Sequence, residues 1–256
     1  MEDADRRLKQ LLPQWSAQAT RYEVYVRRFL CNETHRTIDY SRSEGEARKE
    51  KEVSYGYLIS TDSKTASYQV IRQTLDAEGR PTGNERVLEL SCPEPYLWTR
   101  LFLPTTVSTM RLHYLGREIQ NYRLTHVVSF EGSAPRSDGK DIREWSGQAW
   151  VEENTGNLVR IEARPNFQHD RLLALWKEFQ QSFTLPWGKA GTRPRGYIAA
   201  VVFDCERFGL LFPTRLDLTD FTWVATGHEA VDTRLVLTYD DYRYWDVSTT
   251  ESVQEP

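Results

Sequence analysis

The chain has 256 residues, enough for one large β domain or two small ones. Its hydrophobic share of 39% and charged share of 27% are ordinary for a globular protein, and a formal net charge of −4 gives no electrostatic reason to expect nucleic acid or an anionic membrane surface as partner. No apolar run approaches the ~18 residues of a spanning helix, so no transmembrane segment is expected.

The opening stretch, Met1 to Lys9, is polar and charged, so no signal peptide is visible. Either the protein stays inside or the sequence begins after a removed leader. Leu8, Leu11, Leu12 and Trp15 fall at helical spacing, predicting a helix over residues 3–19 that Pro13 kinks or divides. From Arg21 the alternation of Tyr22, Val24 and Val26 with polar neighbours predicts a strand running towards Ile38. The charged run 41–52 reads as an exposed loop or strand end. Val53, Tyr55, Tyr57 and Ile59 share one face of the next strand, and residues 67–75 return antiparallel to it.

Residues 93–104 read as a short helix with Tyr96, Leu97, Leu101 and Phe102 on its apolar side and Pro104 as its stop. Residues 107–115 and 118–130 predict a hairpin around Gly116, with Leu124, His126, Val128 and Phe130 on one face. After a breaker-rich loop comes the hairpin QAWVEENTGNLVRIEA, residues 148–163. With Gly156 at positive φ in a three-residue loop, Val151 faces Val159, Ala149 faces Ile161 and Gly147 faces Ala163. The opposite face pairs Trp150 with Arg160 and Gln148 with Glu162. A slip of one residue would mix the two sets, so the pattern pins the register. Residues 168–183 form the most regular helical stripe, with Leu172, Leu173, Leu175, Trp176, Phe179 and Phe183. Three strands follow, at 197–205, 210–221 and 233–245.

The expected fold class is therefore mainly β with α: a strongly curved antiparallel sheet, an unclosed half-barrel, with helices covering its concave side. Neither a fixed-period repeat nor a low-complexity linker divides the chain. The expectation is one domain over 1–256, with an N-terminal helix at 1–20 and a flexible tail at 248–256.

Chemical motifs are sparse. There is no Gly-x-Ser-x-Gly elbow, no phosphate-binding glycine loop and no His-Glu-x-x-His. The cysteines Cys31, Cys92 and Cys205 lie far apart and lack metal spacing, so zinc is not expected; buried or unpaired thiols and a bridge between two of them both stay open. His126 on an apolar strand face reads as a satisfied core histidine. Cys31 and His35 share a strand face but stand ~13 Å apart along it, too far for a thiolate–imidazole pair. The adjacent carboxylates Glu152–Glu153 and Asp240–Asp241 point to opposite faces of their strands and cannot share a proton. No enzyme activity, no metal and no cofactor are expected.

The stretch GQAWVEENTGNLVRIEA resembles the Trp-containing Thr-Gly hairpin of the LolA/LolB-like superfamily. More closely, the chain resembles a group of exported bacterial proteins. The carriers of that resemblance are Phe29-Leu30-Cys31-Asn32-Glu33-Thr34, then Trp98 followed by Leu101-Phe102-Leu103-Pro104, then Leu211-Phe212-Pro213-Thr214-Arg215, and a closing strand from Tyr239 to Val247. These motifs run in the same order over roughly residues 22–247. The resemblance implies a half-barrel with helices plugging the open side, export, and a place in the periplasm or cell envelope. It also implies a cavity able to hold a lipid, an acyl chain or a lipidated peptide, or a stress-sensing role with an envelope protein partner.

On that reading the cavity lining comprises Gly147, Ala149, Val151, Val159, Ile161, Leu235, Leu237 and Tyr239, the small residues leaving room. Leu172, Leu175, Trp176 and Phe179 would form a lid. The alternative is a protein-interaction or stress-sensing module whose interior is filled by its own side chains.

Overall fold

The computed structural model describes residues 2–41, 46–61, 68–85, 92–133, 144–166, 195–223 and 229–244. It opens with a single long helix, α1 (Glu2–Tyr25), and a short 3-10 turn leads into the first strand. The strands are β1 (Phe29–Tyr40), β2 (Ala47–Thr61), β3 (Tyr68–Leu75), β4 (Pro81–Glu85), β5 (Arg111–Gln120), β6 (Arg123–Ser133), β7 (Glu144–Glu152), β8 (Leu158–Pro165), β9 (Arg195–Arg207), β10 (Leu210–Trp223) and β11 (Glu229–Tyr244). Between β4 and β5 lie a 3-10 segment, Pro95–Phe102, and one turn of helix, α2 (Pro104–Val107).

The sheet runs β4-β3-β2-β1-β11-β10-β9-β8-β7-β6-β5, and every recorded pairing is antiparallel. β4 and β5 end it, so it curls without closing. Strand parity decides what faces inward. In β1 the buried set is Phe29, Cys31, Glu33 and His35, with Leu30 and Arg36 outward. α1 and the 3-10 segment lie inside the curve. Trp15 meets Phe102 edge-on at 5.3 Å and lies 6.1 Å from the His126 ring; Trp98 meets Trp145 at 5.2 Å. Their rings belong to one continuous apolar core with the inner faces of β1, β2 and β6 to β11. The half-barrel architecture expected from the strand pattern is the one observed.

Three local expectations are corrected. Tyr22, Val24 and Val26 are helical, not a strand. Leu8, Leu11, Trp15, Ala19, Tyr22 and Val26 form one stripe spaced by three and four residues, all buried, while Val24 points to solvent. The apparent alternation over residues 22–26 is the tail of that stripe, and α1 runs through Pro13.

The β5–β6 turn sits at Asn121-Tyr122, both at positive φ (48° and 62°), and not at Gly116. Gly116, with φ 136°, occupies a bulge inside β5, where Tyr114 pairs with Val128 and Gly116 with Val127. In the β7–β8 hairpin the predicted register holds from Gly147–Ala163 to Trp150–Arg160, but a bulge then places Val151 opposite Leu158 in place of Val159. Gly156 has the expected positive φ of 74°. The Arg160 guanidinium lies 5.5 Å from the Trp150 ring centroid, and Trp150, on the face opposite the apolar set, is itself buried.

Candidate functional site

The inner face of the sheet divides into an apolar stretch over β6–β10 and a polar stretch over β11, β1, β2 and β3. The predicted lining residues fall mostly in the first. Ala149, Val151, Val159, Ile161 and Leu237 are fully covered and Tyr239 nearly so, while Gly147 and Leu235 are partly accessible. The fold therefore brings β7, β8 and β11 contributions to one face of one sheet.

At Gly147 the lack of a side chain serves close packing by the chain itself. A Cβ on Gly147 would stand 2.0 Å from the Glu162 carbonyl oxygen and 2.9 Å from Phe130 Cζ. Ala149 and Ala163 belong to the same core as the Trp98, Trp145 and Phe130 rings. The space beside Gly147 is thus taken up by the Glu162–Ala163 main chain and the Phe130 ring. The predicted lid residues Leu172, Leu175, Trp176 and Phe179 lie outside the described residues.

The polar stretch was not legible as a site in the sequence. Arg72 on β3 extends a guanidinium between two carboxylates. Its Nε and Nη2 donate to Glu33 Oε2 and Oε1 at 2.5 and 3.0 Å. Its Nη1 and Nη2 donate to Glu94 Oε1 and Oε2 at 3.0 and 2.8 Å. Glu33 Oε2 is also 2.8 Å from His35 Nε2, and the Tyr57 hydroxyl donates to Glu94 Oε2 at 3.3 Å. Register assembles this set. Cys31 pairs with Tyr57 and Tyr57 with Arg72, while Glu33 pairs with both Tyr55 and Tyr239 one step along the same face. The Arg72 guanidinium stands 5.0 Å from the Tyr57 ring centroid, the His35 and Tyr55 rings are 4.6 Å apart, and Tyr57 meets Tyr239 edge-on at 5.5 Å.

The electrostatics follow from burial and pairing. Burial by itself would raise the Glu33 carboxyl, but hydrogen bonds from His35 and Arg72 outweigh it and hold Glu33 below the ordinary carboxylate range. For Glu94 burial wins over Arg72, and its carboxyl is pushed up. Burial disfavours the Arg72 cation, yet Glu94 and Glu33 more than offset this and keep it charged. Each of the four carboxylate oxygens accepts at least one hydrogen bond from Arg72, so both carboxylates are held in place by the one guanidinium. Chemically the arrangement is a bolt. It ties β1 and β3 to the residue just before the 3-10 segment, and so holds that segment against the inner face.

Elsewhere on the inner face, His126 is fully buried. Its Nδ1 shares a 3.1 Å hydrogen bond with the Tyr114 hydroxyl, and burial, against the pull of Glu153, lowers its pKa. The three cysteines are free thiols, with Cys31 and Cys92 buried. Among the described residues no group of three or more His, Cys, Asp or Glu side chains could hold a metal ion, and no helix is long and apolar enough to cross a membrane. The sequence signal for the bolt was the parity of β1. A glutamate between Cys31 and His35 on a buried face needs a cation, but the sequence does not say that Arg72 supplies it.

Fold and site together define an open antiparallel half-barrel whose inner face is plugged by its own helical segments. No family model and no curated protein matches the chain. Among solved structures it is similar to a DUF1329 family protein from Desulfovibrio piger, at 9% identity over 97% of each chain with a TM-score of 0.44. It is similar to a putative outer membrane lipoprotein-sorting protein domain from Vibrio parahaemolyticus, at 8% identity over 91% of this chain and 92% of that one, with a TM-score of 0.40. A third similar structure is MucB in complex with MucA(peri), at 10% identity over 93% of this chain and 99% of that one, with a TM-score of 0.24.

Proposed function

We propose that the protein is a non-enzymatic binding module of the cell envelope whose half-barrel is closed by its own side chains and which engages a protein partner. One observation carries the closed interior: five of the predicted lining residues are fully covered, and they share a core with Trp15, Trp98, Phe102 and Trp145. The envelope location rests on the resemblance of the sequence motifs. Native mass spectrometry of the purified protein, with titration of a fluorescent fatty acid, tests it. The expected result is a ligand-free mass and no saturable binding. A stoichiometric lipid in the native protein overturns the closed interior.

The second reading is a carrier of an acyl chain or lipidated peptide. What favours it is the inner face near the polar stretch, where Val53, Val70 and Leu235 are only partly covered. On this reading Arg72 and Glu94 must part to release the 3-10 segment. Glu94→Gln then raises fatty-acid affinity, and unchanged, absent binding in that variant removes the carrier reading.

A further inference from the structure

One rim of the sheet collects three hairpin turns and an array of exposed apolar side chains. The β5–β6, β7–β8 and β9–β10 turns lie side by side: Thr125 pairs with Glu152, and Asn157 Nδ2 donates to the Gly209 carbonyl at 3.2 Å. α1 runs along these turns, donating from Gln14 to the Asn154 carbonyl, from Gln18 to the Gly209 carbonyl and from Arg21 to the Phe208 carbonyl.

Two of the turns carry an aromatic residue at positive φ, where glycine or asparagine is the favoured choice: Tyr122 (62°) and Phe208 (53°). Phe208 has a structural reason, since it stacks on Tyr25 at 5.7 Å and meets Tyr244 at 5.3 Å, yet it remains 53% exposed. Tyr122 has none. It is fully exposed, and beside it the cross-strand pair Ile119–Leu124 is also exposed, Ile119 at 74%. A strained backbone at a fully exposed residue that packs on nothing among the described residues points to a contact outside them.

We propose that this rim is a phospholipid-bilayer contact, with Ile119, Tyr122 and Leu124 at one end and Phe208 at the other entering the headgroup region. Four strand spacings separate the two tips, roughly 20 Å along the sheet at ~4.8 Å each, so both belong to the same rim. They are convex knobs. A bilayer accepts such knobs without a matching pocket, whereas a protein partner must supply one for each. Tyrosine suits the water–lipid boundary, with its ring among acyl carbons and its hydroxyl in the headgroups.

The charges agree. Around the first tip Arg7, Arg117 and Arg123 stand against Glu118, Glu152, Glu153 and Asp204, so that end carries no excess of positive charge. Beside the second tip, exposed Arg21 and Arg207 donate to main-chain carbonyls, and among the described residues neither has a carboxylate partner. They are placed to meet lipid phosphates, which zwitterionic lipids also carry. The surface expected is therefore a bilayer of ordinary phospholipids, not one selected for negative charge.

The test is co-sedimentation of the full chain with phosphatidylcholine vesicles, with and without phosphatidylglycerol. The wild type is expected to partition into both. The double variant Ile119→Thr with Tyr122→Gly is expected to lose about tenfold, a loss of ~1.4 kcal/mol in transfer free energy. Glycine suits the turn, so this variant keeps or raises its melting temperature while losing vesicle binding. Phe208→Asn, checked by its melting curve, is expected to add to the loss. A wild type that stays in solution with both vesicle types overturns the proposal, as does a folded double variant that partitions as well as the wild type. Soluble fatty-acid binding, which reports the inner face, is unmoved by the tip variants, so the carrier reading and this one fail separately.

Discussion

Arg72 meets the Glu33 carboxylate side-on, with Nε and Nη2 each donating to a different oxygen, inside a β-sheet interior where both side chains are almost wholly buried. A buried bidentate pair of this kind contributes little net stability relative to an apolar replacement, but removing one partner leaves a charge stranded in a low-dielectric interior. Arg72→Met leaves Glu33 and Glu94 facing each other without a cation. The expected cost is about 3–5 kcal/mol, read by urea denaturation. Glu94→Gln keeps a hydrogen-bonding group in place and costs about 1 kcal/mol. A loss under about 1 kcal/mol in Arg72→Met would show that the bolt does not hold the fold.

Gly147 distinguishes a packed inner face from an open one. Adding a methyl drives it into the Glu162 carbonyl and Ala163 Cα, both main-chain atoms that cannot step aside. Gly147→Ala is expected to destabilise by about 3 kcal/mol or more. Gly56 on β2 is the control, since its added Cβ meets nothing closer than Leu75 Cδ2 at 3.8 Å. Gly56→Ala is expected to be neutral or stabilising by up to ~1 kcal/mol. Equal melting temperatures for the two variants would contradict the packing described at β7–β8.

Among the buried groups, His126 and Glu33 both weaken the fold towards acid and Glu94 opposes them. His126 has a lowered folded pKa, so the unfolded chain takes up its proton first as pH falls through 6.5, and stability is lost from there downward. Glu33 is also lowered. Its contribution is complete above 4.5 and is lost as pH falls through the depressed folded value. Glu94 is raised, so its contribution is complete below 4.5 and is lost as pH climbs through its raised value. Denaturation measured across pH should therefore show stability falling below 6.5, with a shallower fall in His126→Gln. An unchanged slope in that variant would rule out His126 as its source.

The thiols offer a check that needs no mutation. Burial, reinforced by Glu33 for Cys31 and by Glu94 for Cys92, pushes both thiols well above the usual cysteine range. Cys205 is half-buried and raised too, also by burial first. Titration with a disulfide reagent near the ordinary thiol pKa of ~8.5 should label Cys205 before the other two, which react only on unfolding. Rapid labelling of all three in the native protein would contradict the burial of Cys31 and Cys92.

Most of the strands, the inward sets of β2, β6 and the β7–β8 hairpin, and the register of that hairpin up to Trp150–Arg160 were legible in the sequence; β4 (Pro81–Glu85), in a stretch rich in glycine and proline, was not. The period-two pattern is a local property, and only one pairing hides all the apolar side chains of the hairpin at once. Tertiary structure decided the rest. Whether Tyr22 and Val26 belong to a helix or a strand depended on the partner face offered by Phe212 and its neighbours, because both periods bury the same two residues. The partner of Glu33 could not be read along the chain. Arg72 lies 39 residues away and Glu94 a further 22; the β1–β2–β3 register brings Arg72 to Glu33, and the packing of the 3-10 segment against the inner face brings Glu94 to Arg72. The smallness of Gly147, Ala149 and Ala163 was visible from the outset, but what fills the space beside them was a question of packing. The Phe130 ring reaches Gly147 from β6, with Trp98 and Trp145 packed in the same core, and a residue's size sets how much room it leaves without setting who takes it.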